Sequence, residues 1–172
     1  MDNAELNDLI LNVGATQFWI VQWGDPDHSP DEDTQVFNLP AYEQRLPKNP
    51  TTMRVGDILF VHRIHISKII FVAEVLALPR KATEEESRKE PWLQRWQWSV
   101  STKNLTPTYG AYWKQYEVKA FDLAKEYNRL NPQQPVSIRT LHFGNYVRVS
   151  EDFAKFWLNE IIRLYPPVAR KR

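Results

Sequence analysis

Cysteine is absent from all 172 residues. That excludes a disulfide scaffold, a thiolate metal site and a cysteine nucleophile. Glycine is scarce, with five in the chain, and none of them falls in G-x-x-x-x-G-K-[ST] or G-x-G-x-x-G. Loops that cradle phosphates through their backbone are therefore not expected. The G-x-S-x-G elbow, the H-E-x-x-H helix and the H-x-E motif with a cysteine pair are also missing. No run approaches the roughly 18 apolar residues of a membrane span. The opening "MDNAELNDLILNV" lacks a basic start and a long apolar core, so no signal peptide is expected. The expectation is a cytoplasmic chain with no cofactor, no metal and no membrane partner.

Aromatic residues, by contrast, are plentiful. They make up 13% of the chain and include seven tryptophans. Hydrophobic residues at 42% and charged residues at 25% fit one ordinary globular domain. The formal charge of +1 is unevenly divided. Residues 1–53 hold nine acidic and two basic side chains, and the remaining 119 hold twelve and twenty. The larger part is thus near +8 and ends in "ARKR". Such a field suits a polyanion, although many solvated surfaces carry a similar excess.

Apolar spacing at Leu6, Leu9, Ile10 and Val13 predicts an N-terminal helix over residues 1–14. "TQFWIVQWG" predicts a strand, and "DPDHSPDEDTQ" a loop. Pro40, Pro47 and Pro50 leave room only for short helical pieces over 37–53. "MRVGDILFVHRI" and "KIIFVAEVLALP" predict two strands of a hairpin joined at "HIS". "RKATEEESRKE" reads as an exposed loop or one helical excursion, and "LQRWQWSVST" as the next strand. "WKQYEVKAF" predicts a strand, "FDLAKEYNRLN" a helix, and "VSIRTLHFGNYVRVS" one or two strands. The clearest helix is "EDFAKFWLNEIIRLY", with Phe153, Phe156, Trp157, Ile161 and Leu164 on one stripe and Ser150 as N-cap. Strands joined by short turns, with helices at the margins, predict an α+β fold. Its core is a small, mixed, mostly antiparallel β-barrel over 15–165, followed by a basic tail over 166–172.

Several residues are candidates for chemistry. Asp25, Asp27, His28, Asp31 and Asp33 crowd one loop, but their spacing fits no cation loop. His62 and His65 flank a tight turn and are candidate acid–base groups, yet neither has a nucleophile or carboxylate beside it in sequence. Trp157 belongs to a core stripe. Trp19 lies within "FWIV", and Trp23 stands where the strand gives way to a loop. If 93–102 is a strand, Trp96 and Trp98 share one face of it. An indole face can stack a base or a cationic group.

The succession "FWIVQWGDP", "MRVGDILFVHRI", "IIFVAEV" and "RWQWSV" resembles the EVE domain, a PUA-like family related to YTH domains. Phe18-Trp19, Gly56-Asp57, Glu74-Val75 and Arg95-Trp96 carry the likeness, which spans about residues 16–165. "FVAEV" lacks the glycine that usually precedes this strand, and "VQWGDP" differs from the usual turn. The resemblance implies a small barrel that accepts a modified base, flipped or single-stranded, between aromatic walls, without chemistry of its own.

The expected function is therefore non-enzymatic recognition of modified DNA or RNA. Trp19, Trp23, Trp96, Trp98, His62 and Arg63 are the expected pocket residues. Arg95, Arg139, Arg148, Arg170, Lys171 and Arg172 are the expected phosphate contacts. A protein partner in a defence or RNA-processing system is also open. Two alternatives remain. One is a PUA-like nuclease or hydrolase in which His62 or His65 converges with Asp57 or Asp25. The other is a protein-interaction module built on exposed aromatics.

Overall fold

The computed structural model describes residues 17–23, 40–63, 68–106, 119–137 and 146–164. The expected N-terminal helix, the acidic loop, His65, most of the "WKQYEVKAF" strand and the basic tail lie outside them. Strands run over Phe18–Trp23 (β1), Ala41–Leu46 (β2), Ile58–Arg63 (β3), Lys68–Val75 (β4), Arg80–Lys81 (β5), Trp98–Asn104 (β6) and Tyr146–Val149 (β7). Helices run over Glu84–Lys89 (α1), Ala120–Leu130 (α2) and Glu151–Leu164 (α3).

The principal sheet has the order β2-β6-β4-β3-β1-β7, and β5 joins it on β6. β1 and β3 pair in parallel, with Phe18 opposite Ile58 and Trp23 opposite Arg63. The other pairings are antiparallel, among them the expected β3–β4 hairpin. The fold is thus α+β with a mixed sheet, curled into a half-barrel. The curl is visible in contacts that leap the sheet order. Gln44 of β2 donates through Nε2 to the Gln22 carbonyl of β1 at 3.1 Å, although three strands separate them in the sheet.

Period-two alternation sorts the side chains onto two faces. Phe18, Ile20, Ile58, Phe60, Val72 and Val149 face the helices, where α2 and α3 cover them with Leu123, Tyr127, Phe153, Trp157 and Ile161. Trp157 is fully buried, as its place on the stripe predicts, and its ring meets Phe60 edge-on at 5.4 Å. Ser150 caps α3 as expected, its Oγ accepting from the Phe153 N–H at 3.2 Å. The concave face gathers Trp19, Val21, Tyr42, Leu46, Leu59, Val61, Phe71, Val75 and Val100.

Two expectations are corrected. Residues 41–46 form a strand where only helical pieces were expected. Tyr42, Gln44 and Leu46 point inward there while Ala41, Glu43 and Arg45 point outward. "LQRWQWSVST" does not run as one strand. Pro91 opens a single 3-10 turn over Pro91–Gln94, and the N–H groups of Arg95 and Trp96 both reach back to the Trp92 carbonyl, at 3.1 and 3.3 Å. Proline pre-sets the φ angle that such a turn needs. The strand begins only at Trp98, so Trp96 and Trp98 do not share a strand face.

Candidate functional site: an aromatic cluster on the concave face

The loop before β3 fixes one end of the concave face. Gly56 adopts φ 87°, a conformation open to glycine and strained for other residues. Its N–H donates to the Val75 carbonyl at 2.9 Å, which ties the turn to β4. Asp57 follows, only 2% exposed. Its carboxylate accepts from Trp19 Nε1 at 2.8 Å, the Arg54 N–H at 2.9 Å, the Gln17 N–H at 3.1 Å and Gln17 Nε2 at 3.2 Å. Four donors from three residues converge on one anion. Such charge-assisted bonds are among the stronger ones in proteins. Trp19 is therefore anchored, 3% exposed, and lies beside Tyr146 with ring centroids 6.0 Å apart.

The other end belongs to Trp23, the last residue of β1. Its ring is half-buried, 5.4 Å from Tyr42 and 6.5 Å from Phe71. Tyr42 and Phe71 meet edge-on at 4.8 Å. Each ring thus presents its positive edge towards a neighbour's π-face, the favoured arrangement for aromatic pairs. Polar groups lie within this cluster. The Tyr42 hydroxyl donates to Gln44 Oε1 at 3.3 Å, and the Gln44 amide donates to Gln22 and Arg45 carbonyls, both at 3.1 Å. Burial pushes the Tyr42 phenol well above its usual range, a rise only partly opposed by its hydrogen bonding with Thr102. Arg63 alternates with Leu59 and Val61 on the concave side, pairs in register with Trp23, and is buried. Arg63 and Gln44, both buried, thus belong to the same side of the sheet as the half-buried indole.

The expected pocket residues divide. Trp19, Trp23, Trp98 and Arg63 belong to the concave side. Trp23 and Trp98 do not face each other. Trp98 pairs with Leu46, whereas Trp23 packs on Tyr42, four residues away along β2. At extended spacing this is about 13 Å. His62 lies apart from these, on the helix side of β3, with its ring 5.9 Å from Phe121 of α2. One strand cannot send His62 and Arg63 to the same face. Trp96 lies outside the sheet, half-buried, with the Arg95 guanidinium 5.5 Å from its ring centre. Tyr42, Gln44 and Phe71 escaped the sequence reading. The Tyr-x-Gln-x-Leu alternation of 42–46 is the signal that would have found the first two.

Of the expected phosphate contacts, Arg95 and Arg148 are exposed. Arg148 lies opposite Trp19 on β7 and lines an open cleft of about 400 Å³ with Gln17, Ser150 and Glu151. Arg139, Arg170, Lys171 and Arg172 lie outside the described residues. Of the alternative catalytic residues, Asp25 and His65 lie outside the described residues, and Asp57 and His62 are not brought together. Asp57 and His62 are five residues apart along an extended segment, about 16 Å. Asp57 is also committed to its four donors. No helix among the described residues is long and apolar enough to cross a membrane. Comparison with protein families, with curated proteins and with solved structures finds no match to this chain.

Proposed function

We propose that this chain is a non-enzymatic nucleic-acid binder of the PUA-like, EVE-domain type, which reads a modified base against Trp23. The observation that carries the reading is the half-buried Trp23 ring set on buried Tyr42 and Phe71, with Arg63 and Gln44 beside it. A base stacked on an aromatic ring gains about 1–3 kcal/mol, and stacking tolerates any base. Discrimination then falls to polar groups that line the approach to the ring, since Arg63 and Gln44 are themselves buried. Unpairing a base costs a few kcal/mol, so a single-stranded or already flipped base suits this site best. Arg95 and Arg148 supply salt-dependent affinity for phosphates. On this reading the natural setting is cytoplasmic, in defence against modified DNA or in RNA processing.

The test is a binding screen with short DNA and RNA oligonucleotides, each carrying one modified base. At least one modification should bind more tightly than its parent base. Equal binding of every modified and parent pair contradicts the proposal. A protein-interaction role has its own support in exposed Val55, Leu76 and Leu78. Capture of a protein partner that survives nuclease treatment, by a chain with no affinity for oligonucleotides, would favour it instead.

A further inference from the structure

Outside the half-barrel, β5, α1 and the 3-10 turn enclose an open cleft of about 740 Å³, lined by Lys81, Thr83, Ser87, Arg88, Gln94 and Gln97, with Glu84 at its side. The volume lies within the range of ligand sites, about 300–1,000 Å³. Its walls are fixed. The Ala82 N–H donates to the Gln97 carbonyl at 2.7 Å, and Thr83 and Glu86 form a reciprocal capping box at the start of α1.

The charges of this region are sorted. Glu86 engages Arg80 at 2.8 Å, and Glu85 engages Lys89 at 2.7 Å. Both carboxylates are thereby occupied by cations that do not line the cleft. No carboxylate among the described residues pairs with Lys81 or Arg88, and the Arg88 Nε makes only a long contact to the Glu84 carbonyl at 3.4 Å. Arg95, between the two glutamines, is likewise unpaired by carboxylates among the described residues and stacks on Trp96 at 5.5 Å. Against the one lining carboxylate, Glu84, the cleft sets two cations, two amides and an adjoining indole–guanidinium pair, the groups that hold a phosphodiester and its base. Lys81 is also the cross-strand partner of Trp98, a ring packed on the concave cluster.

We infer that this cleft is a second contact for single-stranded nucleic acid, in which Lys81 and Arg88 hold phosphodiester oxygens and Gln94 and Gln97 meet a base edge. The inference deepens the base-reading proposal and rests on it for the identity of the ligand class. It predicts a footprint of several nucleotides, within the roughly 4–16 that such surfaces cover.

The test uses unmodified probes, so that it does not depend on which modification is read. Fluorescein-labelled ten-nucleotide oligo-dT and oligo-U are titrated with the wild type and with Lys81→Ala/Arg88→Ala, from low to moderate salt. The double variant should bind about 10-fold more weakly, and the slope of log K against log salt should fall by about 1.4, at about 0.7 per single-strand phosphate contact. Lys125→Ala, which removes an exposed cation on α2, should change neither. Equal affinity and slope for the double variant and the wild type would overturn the inference. Preference of the wild type for a modified base, together with that equality, would sink the cleft and leave the base-reading proposal standing. A loss at the cleft without any modified-base preference would do the reverse. Binding of neither probe by the wild type would remove both.

Discussion

Removal of the Asp57 carboxylate is the sharpest structural perturbation available. Asp57→Ala strands the Trp19 indole N–H, the Arg54 N–H and the Gln17 N–H, which the carboxylate now accepts at 2.8, 2.9 and 3.1 Å. An unsatisfied buried donor costs about 1–3 kcal/mol. Trp19 is 3% exposed and bears that cost in full, while the two main-chain donors are partly buried and water can reach them. The expected loss is therefore about 3–4 kcal/mol, a large share of a typical stability of about 5–15 kcal/mol. Urea denaturation should show a lower midpoint with an unchanged slope. Trp19→Phe removes the donor instead and should couple to Asp57→Ala by about 1–2 kcal/mol in a double-mutant cycle. A loss below about 1 kcal/mol for Asp57→Ala, or full additivity of the two changes, would show that the carboxylate does not anchor Trp19. Because this carboxylate is structural, Asp57→Asn should leave modified-base preference intact wherever the protein remains folded.

Other expectations follow from single residues. Gly56→Ala meets no atom within 4 Å of the added Cβ, so its cost is purely conformational. It should be about 1–2 kcal/mol by thermal or urea unfolding. Hydrogen bonding from Arg80, then from Thr83, holds the Glu86 carboxyl down at about 2, against an ordinary value of 4.5. A depressed carboxylate contributes stability above its unfolded value and loses it as pH falls towards the folded one. The α1 segment should therefore loosen between pH 4.5 and about 2, and Arg80→Ala should move the Glu86 titration, followed by NMR, upwards. Tyr42 has the opposite sense. Its phenol is raised above the ordinary 10.0, so stability is present below that pH and is lost above it, where only the unfolded chain ionises. Tyr42→Phe should shift alkaline unfolding to higher pH.

Legibility differed between face and place. The run "FWIV" declared β1 because β-branched and aromatic residues fit a buried pleat. The 153–157–161 spacing declared α3 because one stripe had to be apolar. β2 stayed hidden because its inward row includes Gln44, whose amide reaches the distant Gln22 carbonyl as well as that of neighbouring Arg45. No local pattern records that partner. The segment before Trp98 misled for a related reason: its tryptophans favour strand, but Pro91 and the backbone bonds to the Trp92 carbonyl set a turn. At the site, alternation required His62 and Arg63 to part, but only packing on Phe121 decided which went to the helices. The strand-end position of Trp23 was legible, and its ring is half-buried there. Its neighbours Tyr42 and Phe71 come from strands whose curl brings them together.

A reading site at Trp23 is tested by comparing modified and parent oligonucleotides bound to the wild type and to Trp23→Ala. Stacking at this ring contributes about 1–3 kcal/mol, so the variant should bind the preferred modified probe about 5- to 150-fold more weakly. Its ratio of modified to parent affinity should fall to near one, while its dependence on salt stays that of the wild type. A Trp23→Ala protein that folds and keeps the wild-type ratio would contradict the assignment of the reading site to this face.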